Sequence, residues 1–421
     1  MSKVKGVAGE VRRVFNQTEL DSLILFVTNA CNLSCGFCCY ADNLNQTRDI
    51  SFDNMMKISE SMPPFRILMI SGGEPFLRHR LDEIMAAFVR NNGVSSISIP
   101  TNGWYLDRTE RACKAFLDQD STTTLTLNFS VDGLPATHNA IRGKPETFDN
   151  LCTTLESMLP WRDRYPNLRF RVNSVVTPDN IGEIRATVDY FYDRFDLDEH
   201  GIEIMRDEHA ADAHHDSPER RAIADELREL TRYSYDLYFR RDRKPRGKLG
   251  YLPEPMSNML NYAHNLAMTD VKHDRMHGKL WSFPCTAGRK IMVIDGSGSL
   301  RSCEHRPEVV DLREHDFDVA AAMATGAMDR EVASIAADRC DCLHGCFIGN
   351  SLQHSPKAVV TEVGPRALGY FATKARTPMA PPVLERVDGL LTSPDPTPHA
   401  GSAAAVGVPV DMPVVRRASS S

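Results

Sequence analysis

From residue 23 to residue 205, short β-rich runs alternate with helical stretches, and this alternation narrows the possible folds further than any other property of the chain. The runs fall at 23–28, 66–70, 95–99, 123–130, 168–176 and 201–205. Several are almost continuous in Val, Ile, Leu and Phe, as strands covered on both faces require. Helical stretches occupy 52–62, 81–91, 108–117, 148–159 and 181–195, with Ser51 a candidate N-cap for the first and Gly93 a stop for the second. Repeated strand–helix units imply a parallel α/β sheet with its chemistry at the carboxyl ends of the strands. Six such units fit a partial, TIM-like (β/α)6 barrel better than a closed ring of eight.

With 421 residues the chain is too long for that core alone. Residues 1–20 form an N-terminal segment and 21–206 the barrel. Residues 207–283 read as a helical bridge, with Ser217 and Pro218 opening one helix and another expected over 256–268. A small α+β unit is expected over 284–350, where apolar runs at 291–294 and 299–301 flank Asp295-Gly296-Ser297-Gly298, a hairpin signal. Residues 351–421 make a C-terminal segment, rich in Pro, Ala and Ser beyond about 376 and expected to be disordered there.

The thiols carry the functional signal. The chain has 11 cysteines, bunched near residue 35 and between 285 and 346, with only Cys113 and Cys152 isolated. Clustered thiols in a chain of this length suggest metal or catalytic chemistry rather than a disulfide scaffold. The opening residues lack the apolar stretch of a secretory signal and no run suits a membrane span, so a cytoplasmic protein is expected. The net charge of −7 argues against a coat of basic charge for nucleic acid.

Directly after the first strand comes Cys31-Asn32-Leu33-Ser34-Cys35-Gly36-Phe37-Cys38. Three thiolates on one short loop can wrap one face of a four-iron cube but cannot supply its fourth corner. Zinc is the competing metal, although structural zinc sites usually present paired C-x2-C units and close with four protein ligands. Cys39 lies outside the spacing and reads as a packing thiol.

Cys-x3-Cys-x2-Cys after the first strand of a parallel α/β domain resembles the radical S-adenosylmethionine (SAM) superfamily. That resemblance implies a [4Fe–4S] cluster on Cys31, Cys35 and Cys38, with SAM chelating the fourth iron and cleaved to a 5′-deoxyadenosyl radical. It also implies Phe37 beside the adenine, and Gly72, Gly73 and Glu74 (in Ser71-Gly72-Gly73-Glu74-Pro75) against the SAM amino group. Two glycines allow close backbone approach, and a carboxylate suits an ammonium. Thr101-Asn102-Gly103 corresponds to a pocket wall, Ser130 and Asp132 to residues that meet ribose hydroxyls or substrate, Arg142 to a partner for the SAM carboxylate, and Asn173 to a further pocket residue. Outside the resemblance, Gly-Gly is ordinarily a turn and a lone Arg ordinarily solvated.

Cys285, Cys303, Cys340, Cys342 and Cys346 are similar to the Twitch/SPASM extension of many radical SAM enzymes. Five thiols imply a single auxiliary [4Fe–4S] cluster, with Cys285, Cys303, Cys342 and Cys346 as ligands and Cys340 as the alternative to Cys342. A zinc ribbon is the rival here. His305 and His344 stand beside this group, either orienting a sulfur or simply at the surface. His209, His214 and His215, and the six cations between Arg240 and Lys248, read as solvated faces, with metal binding or an acidic-peptide dock as the alternatives.

The expected protein is thus a radical SAM enzyme served by a one-electron donor such as ferredoxin or flavodoxin. Its expected substrate is a ribosomal peptide or other natural-product precursor. The alternatives are a small-molecule (sugar or aminoglycoside-type) dehydrogenase or rearrangement enzyme and, outside the class, a zinc-bearing scaffold.

Overall fold

The computed structural model describes residues 16, 19–45, 49–205, 218–240 and 254–374. All belong to the unit Met1–Pro378; a second unit, Met379–Ser421, lies outside the described residues, as do His209, His214, His215, Ser217 and the basic run after Arg240.

Six strands appear where the alternation placed them: β1 (Ser22–Phe26), β2 (Ile67–Ser71), β3 (Ser96–Thr101), β4 (Thr124–Ser130), β5 (Leu168–Val176) and β6 (Glu199–Ile204). Each pairs in parallel with the next, giving the sheet of an open, partial barrel. Helices α1 (Phe52–Ser61), α2 (Leu81–Asn92), α3 (Leu106–Leu117), α4 (Pro135–Arg142), α5 (Thr147–Met158) and α6 (Ile184–Arg194) lie between them. Ser51 caps α1 by accepting the Asn54 N–H at 3.2 Å. Gly93, at φ 72°, ends α2 in the left-handed conformation that glycine adopts without strain.

β1 is buried at every residue, whereas β2, β3, β5 and β6 alternate. In a barrel of this type the helices cover one face and the other looks inward. The inward row is polar on its far side. Ser98, Asn128, Ser130, Arg171, Asn173 and Glu199 lie on it, with Asn128 paired across to Arg171 and Ser130 to Asn173.

The bridge is a helix pair, α7 (Pro218–Arg240) and α8 (Glu254–Met276). The second runs past the 256–268 expected from sequence because its last two turns have tertiary partners. Buried Lys272 pairs with Glu203, and Arg275 with Asp341 at 3.1 Å. The hairpin forms at the expected bounds, as β7 (Ile291–Ile294) and β8 (Ser299–Arg301). Its first strand joins the barrel sheet by pairing in parallel with β1, giving the order β6-β5-β4-β3-β2-β1-β7-β8-β9, with β9 (Val310–Asp311) at the far edge. Helices α9 (Ala327–Ala337), α10 (Gly345–His354) and α11 (Gly364–Lys374) follow. Among the described residues no helix is long and apolar enough to cross a membrane.

Candidate functional site

The first cysteine loop leaves the carboxyl end of β1, at the centre of the sheet, and polar side chains fix its backbone. The Asn45 side chain accepts the Cys31 N–H at 3.0 Å and donates to the Cys31 carbonyl at 3.1 Å. Asp49 takes the Thr28 hydroxyl and the Asn29 N–H, both at 2.6 Å. Further on, the Gly36 N–H donates to the Ile141 carbonyl at 3.2 Å, tying the loop to α4. Cys31, Cys35 and Cys38 are half-buried and free of disulfides. Burial pushes the Cys31 and Cys38 thiols up. Cys39, expected to pack, is exposed instead, because it follows the turn that brings Cys38 inward.

Gly72 and Gly73 bring two loops into close contact. Gly72 sits at φ 135°, and a side chain there would collide with the Thr28 carbonyl. A side chain on Gly73 would collide with the Ala30 carbonyl and meet Cys31 Cβ at 3.0 Å. The space they leave lets Gly73 N–H and Glu74 N–H donate to the Thr28 and Ala30 carbonyls, both at 2.8 Å. The glycine pair therefore presses the β2 loop onto the root of the cysteine loop. The buried Glu74 carboxylate accepts from Asn102 N–H (2.8 Å), Thr101 Oγ1 (3.0 Å) and Phe76 N–H (3.2 Å). Burial outweighs these bonds and raises its carboxyl to about 7.

Arg142, at the end of α4, is buried and pairs with Asp132, which follows β4. Its Nη1 stands 3.6 Å from Cys35 Sγ, and its guanidinium carbon 5.7 Å from the Phe37 ring centroid. Asp132 is held in turn by the Val175 N–H at 3.0 Å. Arg142, expected to face a ligand carboxylate, thus has a carboxylate of its own and sets a cation beside one thiol of the loop. Ser130 and Asn173 are register partners at the mouth of the barrel. Asn173 continues across to Gly201, where a side chain would collide with the Asn173 amide. Sequence reading missed Arg171, which pairs with Glu199 at 2.9 Å inside the barrel and stays 45% exposed. The polar–apolar alternation of Arg169-Phe170-Arg171-Val172-Asn173 was the available signal.

The second cysteine group converges as one cluster. Cys285 and Cys303 lie within an apolar core made with Ile24, Phe26, Val293 and Phe347, and Cys340, Cys342 and Cys346 pack against it. Cys285 and Cys340 are within hydrogen-bond reach, which holds the Cys285 thiol up and draws Cys340 down. Burial pushes Cys303 up. His305 and His344 contribute through the main chain, their N–H groups donating to Cys303 Sγ at 3.5 Å and Cys342 Sγ at 3.4 Å. The His344 ring is buried and meets Glu304 at 3.1 Å, so it is not a surface residue. Tyr40, just past the first loop, packs on this cluster and on Phe26, joining the two thiol groups through one ring.

Among the described residues, which include every cysteine, no three cysteine sulfurs lie mutually within 4.8 Å. A tetrahedral zinc with bonds of roughly 2.3 Å needs its sulfurs within about 4 Å of one another. No trio in either group is that close, although Cys285 and Cys340 approach as a pair.

Residues 25–191 match the family model of the radical SAM superfamily. A probable GTP 3′,8-cyclase of Methanococcus maripaludis is 36% identical over 115 residues, covering 26% of this chain and 38% of that protein. An Fe-coproporphyrin III synthase of Methanosarcina barkeri is 30% identical over 183 residues, 42% of each. The chain therefore spans about two fifths of the length of these curated relatives. Among solved structures, anSMEcpe with bound AdoMet matches with a TM-score of 0.53 and 16% identity, over 83% of this chain and 98% of that one, a likeness of fold.

Proposed function

We propose that the chain, whose residues 25–191 match the radical SAM family model, is a radical SAM enzyme whose Cys31, Cys35 and Cys38 hold a [4Fe–4S] cluster with SAM at its open corner. When bound, cluster and SAM supply reductive cleavage to methionine and a 5′-deoxyadenosyl radical that takes a hydrogen atom from the substrate. The carrying observation is the loop itself: three half-buried thiols at the carboxyl end of β1, with the Arg142 cation 3.6 Å from Cys35 Sγ.

The chain's own groups bind and orient. Asn45 and Asp49 hold the loop backbone, Gly72 and Gly73 let β2 brace it, and Glu74 locks that brace to the end of β3. Arg142 neutralises thiolate charge and meets the SAM carboxylate, with Asp132 as its positioning residue. Phe37 faces the adenine; Ser130 and Asn173 line the approach to it. A second [4Fe–4S] cluster on Cys285, Cys303, Cys342 and Cys346, with Cys340 the alternative to Cys342, would supply electron transfer to or from the substrate. A ferredoxin or flavodoxin provides the first electron.

The substrate class proposed is a peptide. Arg171, Asn173 and Glu199 give the barrel interior donors and acceptors suited to backbone amides, and anSMEcpe, alike in fold alone, is described with AdoMet and a Kp18Cys peptide. The likeness to GTP 3′,8-cyclases covers 26% of this chain in one relative and 41% in another, about half or less of those proteins, so their substrate is not carried over.

Anaerobic reconstitution tests the core reading. Brown protein with about eight iron and eight sulfide per chain, forming 5′-deoxyadenosine from SAM and dithionite, is expected. Colourless zinc protein, or iron protein that leaves SAM intact, overturns it. A short precursor reading frame beside this one supports the peptide; sugar-processing enzymes there would replace it with a small molecule.

A further inference from the structure

The bridge carries a ligand set that none of this chemistry uses. α7 and α8 run antiparallel: Asp225 near the start of α7 meets the end of α8, Arg228 pairs with Asp270, and Tyr235 packs on Tyr262. His273 and His277, four residues apart, share one side of the α8 terminus. Their ring centroids are 4.4 Å apart, and their Nε2 atoms lie 2.8 and 3.2 Å from the same oxygen, Asp225 Oδ1. All three ligand atoms fall within 4.8 Å of one another, the only such His/Cys/Asp/Glu group among the described residues. Behind His273, Nδ1 faces Asp274 Oδ1 at 3.4 Å, and Lys279 Nζ holds that oxygen at 3.0 Å. A carboxylate behind an imidazole, fixing its tautomer, is the usual outer arrangement of a histidine metal ligand.

We propose that Asp225, His273 and His277 bind one divalent transition ion of the zinc class, with water completing the coordination. Two imidazoles and one carboxylate suit zinc and its borderline neighbours rather than calcium or magnesium, which take oxygen ligands. The ligands are 48 and 52 residues apart in sequence, so the ion clips together the open ends of the helix pair. α8 also carries Lys272, bound to Glu203, and Arg275, bound to Asp341 between Cys340 and Cys342. The clip therefore steadies the helix that buttresses the second cysteine group. This inference does not depend on the cluster chemistry.

The test uses the full chain, reconstituted with iron and sulfide and titrated with Zn2+ against a chromophoric chelator. Wild type is expected to take one equivalent and the His273→Gln/His277→Gln variant none, with equal iron, sulfide and far-UV circular dichroism. Asp274→Asn should weaken binding roughly 10- to 100-fold. Co2+ separates this site from stray thiolate binding, giving weak visible bands without sulfur charge transfer. Equal zinc uptake by wild type and the double variant overturns the proposal, as does a wild type that takes none. Should the double variant not fold, Asp225→Asn, altered at a 63% exposed side chain, decides the matter in the same assay. Unchanged zinc affinity there is equally fatal. Iron content and 5′-deoxyadenosine report separately on the radical SAM reading.

Discussion

The two thiol groups are built in opposite ways. The first sits on one short loop, half-exposed, its geometry set by side chains that bond the loop backbone. The second is gathered from a hairpin and the entrance to α10, and two of its sulfurs belong to the apolar core. Local, solvent-facing ligands leave room for a small molecule and cost the fold little when changed. Ligands woven into a core are part of what holds the protein together. The proposed pairing of an open catalytic site with a closed electron store would call for this division.

The sharpest way to break the comparison is to remove each group in turn. Replacing Cys31, Cys35 and Cys38 together with Ala should abolish 5′-deoxyadenosine formation and leave the thermal midpoint within a few degrees, read by chromatography and calorimetry. Cys285→Ala with Cys303→Ala should lose product, keep SAM cleavage within about twofold, and cost about 1–3 kcal/mol in denaturant unfolding. Equal stability losses in the two variants would erase the distinction. Gly73→Ala keeps every ligand but pushes on Ala30 and Cys31, and a shift of about 1 Å should slow SAM cleavage roughly 100-fold with iron content retained.

The smallest effect on chemistry belongs to the scaffold. Buried Asp21 pairs with Arg66 and His354, both at 3.2 Å, and despite its burial these partners hold its carboxyl well below the usual range. Its stabilisation is fully present above about pH 4, the unfolded value, and fades as pH falls toward the folded one. Asp21→Asn should cost about 3 kcal/mol at pH 7, less below pH 4, and spare SAM cleavage at low temperature. Unfolding curves across pH 3–7 measure it.

β1 was legible because burial at every residue leaves a continuous apolar run, β5 because its apolar residues alternate with polar ones, and the hairpin because Asp295 is well suited to its turn, its Oδ1 accepting the N–H groups of Ser297 and Ser299 at 3.0 Å. α4 went unread: it is short and polar, and Pro135 at its start was the overlooked sign. Partnerships leave no local trace. The family resemblance put Asp132 and Arg142 near one site but not against each other, and nothing in the sequence around Ile291–Ile294 tells that it lies beside β1. His273 and His277 show helical spacing, but Asp225 is too distant in sequence for that spacing to suggest it.

The pairing of β7 with β1 bears on how the protein is made. Among the described strands β1 leaves the ribosome first, yet one flank of it stays bare until residues 291–294 have been synthesised. An apolar strand with unpaired amides is a template for wrong partners. A nascent chain stopped before residue 284 should therefore be a ward of the chaperones, and biosynthesis of the barrel is complete only when its distant tail arrives.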